Sequence, residues 1–414
     1  MVVYSTTADQ EAQVSGSFGE LLRECRVAAG LSIGQLAKRV HYSKGYLSKV
    51  ENDLKLPHET MARLCDGVLD AGGGLIEAAR SARDRVVDAG LTLDRRQVLV
   101  AGTVLGMALA GGPRPALDER VVAGMRTSFE QLRALGVQTS PVVVLEPLVA
   151  LLRTVHALAL ENPEPTRGRL LLLAARIAEY TGWMNQEAGD EQRALAWTRH
   201  ASELARVGGD REIVSYAFVR EAGLALYRQD AANTVDLARQ AQLVDRAGPR
   251  TLALAARREA QGHALAGDRA SFDRALDRAV RLFDVSTPDT RPYPVLGSTA
   301  PDPAELARGW SLCDLGRAEE SAAVLDRELV RLPAASRRSR ARFGARRSLA
   351  HALAGEIDQS CATLVGTLDD VAHVDSATVR TDLRELARTL GRWHNHGAVR
   401  EVYPELRRVL GQRY

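Results

Sequence analysis

All four lysines of this 414-residue chain fall in one stretch of eighteen residues, KRVHYSKGYLSKVENDLK, from Lys38 to Lys55. Every other strongly basic side chain is an arginine. Between Arg23 and Lys55, seven Lys/Arg stand against three acids, a local +4 that exceeds the +3 of the whole chain. The remainder is therefore slightly acidic, and the basic patch is local. Ser43, Lys44, Gly45, Tyr46, Ser48 and Lys49 form the exposed side of a short helix. Ammonium groups there can donate to phosphate oxygens or to guanine O6 and N7. Gly45 costs a helix about 1 kcal/mol relative to alanine, a cost that close approach of backbone to a partner surface would explain. Lys38 and Lys55 flank the helix and suit phosphates. The bland alternative is a solvated face on which four lysines cluster by accident.

The elements that must position these groups are legible around them. Leu21, Leu22, Cys25 and Ala29 recur at helical spacing, and Gly30 ends that helix. Ser32 with Gln35 makes a capping box for a second helix, whose inward face is Leu36, Ala37 and Val40. Ser43 is the next N-cap, and Leu47 and Val50 point inward from the third helix. His41 occupies the turn between helices two and three, where a left-handed residue is needed; histidine tolerates positive φ better than most non-glycine residues. Pro57 and His58 start a fourth helix with Met61, Leu64, Cys65 and Val68 inward. Gly72 to Gly74 separates it from a fifth around Leu75 to Ala79. Two short helices joined by a tight turn inside a five-helix bundle form the helix-turn-helix pattern.

The segment LSIGQLAKRVHYSKGYLSKVENDLKLP resembles the Cro/repressor (XRE-type) helix-turn-helix domain, over about Phe18 to Ala79. The resemblance implies binding to a double-stranded DNA operator, with the third helix in the major groove. One departure stands out. Many family members carry a glutamine that touches the DNA backbone where this chain has Ile33, so that contact is lost or passes to Gln35 or Lys38.

Other chemistries find little support. The four cysteines are scattered with no CxxC, which reads as buried free thiols in a reducing cytosol. No HExxH, glycine-rich phosphate loop or GxSxG occurs, so neither an enzyme nor a cofactor is expected. His394 and His396 read as a solvated turn and not a metal site. The stretch DRRQVLVAGTVLGMALAGGP (94–113) mimics an export signal but lies well inside the chain. Its apolar run, Val98 to Ala110, is short for a bilayer and reads as a linker or core helix. A cytoplasmic protein without membrane contact is the expectation.

The rest of the chain reads as helix after helix. Leu117 to Leu135 and Pro141 to Leu160 are periodic, and five helical hairpins follow. Their turn residues are Gly189, Gln229, Gly267, Gly316 and Gly355, at intervals of 40, 38, 49 and 39. A small residue lies seven positions before each turn (Gly182, Ala222, Ala260, Gly309, Ser348). Five positions after it come Ala194, Thr234, Phe272, Ser321 and Ser360, and twelve after it Ala201, Ala241, Ala279, Glu328 and Thr367, most of them small. ALAGDRASFDRALDRAVRLF (264–283) resembles a tetratricopeptide (TPR) repeat, stretched beyond the usual period of about 34. The long interval coincides with Asp284 to Pro303, which holds five of the fifteen prolines and enlarges one loop, disordered or folded over the groove as a lid.

The expected fold is all-α. It divides into a disordered lead-in (1–16), a helix-turn-helix domain (17–80), a linker helix region (81–116) and a TPR-like α-solenoid (117–414). The first helix of each hairpin should line a concave groove. That groove face would include Arg176, Glu179, Trp183, Tyr216, Arg257, Gln261, Trp310 and Arg342, suited to an extended peptide or to a small ligand with an acidic or carbonyl group. Packing between hairpins is the competing reading for Trp183 and Trp310. The combined architecture resembles the peptide-pheromone regulators of Gram-positive bacteria and similar regulators of high-GC actinobacteria. That resemblance implies a homodimeric transcription regulator whose repeats hold the dimer and sense a peptide or small-molecule effector. An adaptor with a DNA-targeting head is the alternative.

Overall fold

The computed structural model describes residues 17–52, 57, 59–79, 119–286, 296–297 and 300–411. The chain divides into two compact units, 1–109 and 110–414. The expected lead-in (1–16), the linker region with its apolar run (98–110), Lys55 and most of the proline-rich segment lie outside the described residues.

In the first unit, α1 (Phe18–Ala28), α2 (Ile33–Arg39), α3 (Lys44–Glu51), α4 (Glu59–Leu69) and α5 (described over 74–79) surround one apolar core. Capping boxes start α1 at Ser17/Glu20 and α2 at Ser32/Gln35, and the Ser43 hydroxyl caps α3. Leu36, Val40, Leu47, Val50, Met61 and Cys65 are fully buried, as their spacing predicts. Leu64 is not, although its spacing suggested it. The inward stripe of α4 runs through Met61, Ala62, Cys65 and Leu69, and Leu64 lies outside that arc and is exposed. Phe18, fully buried at the start of α1, joins the core without having been singled out. Asp66 closes the bundle by accepting from the backbone N–H groups of Gly73 and Leu75 at 2.8 and 2.9 Å.

The second unit is built of antiparallel helix pairs. An amphipathic helix, α6 (Glu119–Gly136), and an apolar one, α7 (Val142–Glu161), precede five hairpins. These are α8/α9 (Thr166–Ala188, Glu191–Gly208), α10/α11 (Arg211–Tyr227, Ala231–Gln242), α12/α13 (Pro249–Leu265, Arg269–Asp284), α14/α15 (Pro303–Asp314, Ala318–Val330) and α16/α17 (Arg337–Leu353, Ile357–Val374). A last pair, α18 (Ala377–Leu390) and α19 (Gly397–Gly411), completes the unit. All five expected turn residues are left-handed, with φ between 61° at Gln229 and 89° at Gly189.

The small residues do what their spacing implied. A Cβ on Gly182 would stand 3.1 Å from the Ala194 carbonyl. Ser321 Oγ donates to the Gly309 carbonyl at 2.5 Å. Ser348 and Ser360 each donate to the other's carbonyl at 2.8 Å. A side chain larger than these would hold the paired helices apart. The α18/α19 pair escaped the repeat register because a 3₁₀ turn, Gly391–Trp393, joins it in place of a left-handed residue.

Helices α8, α10, α12, α14, α16 and α18 each touch the next, and α18 also touches α8. The hairpins thus close into a ring. Its seam is polar. Glu187 near the end of α8 is fully buried and receives Arg338 Nη1 at 3.0 Å, Arg342 Nη2 at 2.6 Å and Ser376 Oγ at 2.5 Å. Arg338 also donates to the carbonyls of Gly136 and Thr139 at 2.9 and 2.6 Å, which ties the α6–α7 turn to the seam.

Candidate nucleic-acid interface and interior groove

Helix α3 is fixed from behind. Glu51 at its last turn is buried and accepts Arg26 Nη2 at 2.5 Å, Arg26 Nε at 2.8 Å and Arg23 Nε at 3.2 Å, all from α1. The hydrogen bond from Arg26 lowers the Glu51 pKa from its ordinary value, and the same bond raises that of Arg26. Between α2 and α3, His41 takes φ of 57°, and the Tyr42 N–H donates to the Ala37 carbonyl at 3.0 Å. That pairing is a helix-ending motif that needs a left-handed residue. The small Ala37 is buried at the junction.

The outer side of α3 carries what the sequence placed there. Ser43, Lys44, Gly45 and Lys49 are exposed, and Tyr46 and Ser48 are half-buried. Lys38 and Gln35 on α2 are exposed beside them. Two of these side chains also have local work. The Ser43 hydroxyl accepts from the Tyr46 N–H at 3.2 Å, and Gln35 Oε1 accepts from the Ser32 N–H at 2.8 Å. Gln35 thus keeps only its amide N–H groups for a phosphate. Tyr46 stacks on Tyr42 with ring centres 5.2 Å apart. Nothing lies within 4 Å of a Cβ built on Gly45, so packing inside the chain does not require glycine there. Arg39, exposed next to Lys38, belongs to the same basic surface. Among the described residues, none of Lys38, Arg39, Lys44 and Lys49 has an ion-pair partner.

The expected groove residues all lie on the inner helices. Four of them are engaged in pairs. Arg176 meets Asp210 at 3.2 Å, Glu179 meets Arg220 at 3.7 Å, and Arg342 meets Glu187. The Trp183 indole donates to Glu187 Oε1 at 3.1 Å, with the Arg338 guanidinium over its ring at 5.9 Å. Trp310 is buried edge-to-face with Tyr227, centroids 5.5 Å apart, and Arg346 covers its ring at 4.0 Å. Tyr216 and Gln261 are buried, and Gln261 Oε1 accepts from Arg258 Nη1 at 2.7 Å. Arg257 faces the same interior.

Several members of this interior carried no repeat or motif signal: Glu187, Arg258, Arg346, Asp382 and Asp314. Arg346 and Asp382 meet at 2.6 Å. Burial alone would raise the Glu187 pKa, but Arg342 and Arg338 hold it down to about 2. Asp314 goes the other way. Burial pushes its pKa up to about 6, against the pull of Arg346. Among the described residues no group of three or more His, Cys, Asp or Glu could hold a metal. All four cysteines are free; Cys65 and Cys361 are buried, whereas Cys25 and Cys313 are only half-buried.

No curated protein matches this chain. Residues 17–79 match the family model of a helix-turn-helix domain, and the chain therefore carries such a domain at its N-terminal end, followed by an all-helical region of paired helices.

Proposed function

We propose that this protein is a cytoplasmic, sequence-specific DNA-binding transcription regulator of the XRE type, whose TPR-like body dimerises and senses a peptide or small-molecule signal. The observation that carries the DNA-binding part is the set of cations on α2 and α3, without ion-pair partners among the described residues, around an exposed glycine that no internal contact there demands. Phosphate contacts from Lys38 and Arg39 would set the register, while Lys44 and Lys49 approach base edges.

Dimerisation finds support in α7. By length and composition alone, with mean hydropathy 1.8, this helix could cross a membrane. One stripe (Val144, Leu148, Leu152, Val155, Ala159) packs into the body, while Val142 and Leu160 stay 67% and 65% exposed. Glu146, Arg153 and His156 interrupt the run, which suits a face that meets a second copy better than one that meets lipid. A two-fold dimer presents two heads to half-sites about 34–36 Å apart, or a multiple of that. An effector that prefers one ring geometry changes operator affinity only by its differential affinity for the two states.

Footprinting on DNA from the gene's own neighbourhood tests this reading. The expected result is protection of a palindromic site. Weak, salt-sensitive binding without a protected site, together with a stoichiometric protein partner, would instead identify an adaptor.

A further inference from the structure

The ring interior holds more guanidinium groups than carboxylates to meet them. Arg176, Arg220, Arg338, Arg342 and Arg346 each have a carboxylate partner, respectively Asp210, Glu179, Glu187, Glu187 and Asp382. Arg257 and Arg258, adjacent on α12, have none among the described residues. The neutral Gln261 takes one nitrogen of Arg258, and Nε of both arginines is buried without a hydrogen-bond partner. The Arg258 guanidinium lies against α10, with Nη2 3.2 Å from where a Cβ on Gly223 would stand. Both side chains are surrounded by protein yet keep intermediate exposure.

The surroundings sharpen the imbalance. Burial pushes the pKa of Arg258 down to about 9, and neighbouring Arg257 pushes the same way. Burial brings Arg257 down to about 10, with Arg342 and Arg250 adding to the effect. Both stay protonated at neutral pH. Arg220 also acts on Arg258, and the phenols Tyr216 and Tyr227 nearby are themselves kept protonated by burial. Two adjacent enclosed cations without a counter-charge are costly, and an anion seated between them would offset that cost.

We propose that Arg257 and Arg258 receive an anionic group, a carboxylate or a phosphate, of a small effector bound inside the helical ring. This deepens the sensing role proposed above and rests on it. The guanidinium fork matches either oxyanion through paired N–H···O bonds, and the Tyr216 and Tyr227 hydroxyls can donate to the same ligand.

The test uses the full chain and thermal unfolding followed by tryptophan fluorescence, because all four tryptophans (Trp183, Trp197, Trp310, Trp393) lie in the body. Inorganic phosphate and succinate are titrated separately against sodium chloride of equal ionic strength. We expect at least one of them to raise the midpoint by about 2–4 °C or more; which one does so identifies the anion. The rise should vanish in the Arg257→Met/Arg258→Met double variant and persist, weakened, in the double lysine variant. The anion-free methionine variant should melt no lower than the parent chain. No rise above the chloride control, an equal rise in the methionine variant, or a marked loss of its stability would overturn the proposal. Operator affinity is measured separately. A bound anion that leaves it unchanged supports the site and counts against the sensing role alone.

Discussion

Arg338 Nη1 meets Glu187 Oε2 at 3.0 Å across 151 residues of chain. One buried carboxylate thereby joins the first inner helix of the repeat array to the fifth and, through Ser376 and Thr378, to the sixth. Replacing it leaves two enclosed guanidiniums without a carboxylate partner. Glu187→Gln should cost about 3–5 kcal/mol of body stability, read as a lowered midpoint in tryptophan-monitored denaturation. The pH dependence has a definite sign. With the folded pKa near 2 and the ordinary value 4.5, the carboxylate's stabilisation is complete above pH 4.5 and fades as pH falls through 2. Acid unfolding of the variant should lack that component.

Asp314 predicts the opposite slope. Its folded pKa of about 6 exceeds the ordinary 3.8, so the folded state holds the proton more tightly. Stability therefore declines as pH rises from 3.8 to about 6. Asp314→Asn should remove that decline and gain about 1–2 kcal/mol at neutral pH, allowing for partial exposure. Melting midpoints across this window, variant against parent, provide the comparison; parallel curves would contradict the assignment.

Under the proposed role, the anchoring of α3 by Arg26 and Glu51 should make DNA affinity depend on a pair behind the exposed face of the helix. Glu51→Gln should weaken the head by about 1.5–3 kcal/mol and loosen α3. Hydrogen exchange on the full chain reads this directly, as faster exchange of α3 amides with the body amides unchanged.

Lys44→Ala and Lys49→Ala separate two kinds of contact. Loss of a base contact should cost about 1–3 kcal/mol and relax specificity at one position. Loss of a phosphate contact should lower the slope of log K against log salt by about 1, uniformly across sequences. Mobility-shift titrations at several salt concentrations distinguish these, and wild-type binding by the double variant would reject the interface.

Close helix pairing in the hairpins can be probed at Gly309. A Cβ there would stand 2.6 Å from a Leu325 methyl. Gly309→Ala should destabilise the body by about 1–3 kcal/mol through overpacking, seen as a lower urea midpoint with an unchanged slope.

Local rules carried the sequence reading as far as local forces act. Caps at Ser32 and Ser43, the left-handed turn at His41 and the buried stripe from Leu36 to Val50 depend on neighbours within a few residues, so their spacing alone revealed the helix-turn-helix unit. The same holds for the five turn residues from Gly189 to Gly355 and the small side chain seven before each. What spacing could not reveal is which charges meet. Glu187 and Arg338, or Arg346 and Asp382, look like the solvated acids and bases of any amphipathic helix. Only closure of the hairpins into a ring enclosed them, paired most of them, and left Arg257 and Arg258 without a carboxylate among the described residues. Those pairings depend on how rigid helices stack over hundreds of residues, a property that no local pattern encodes.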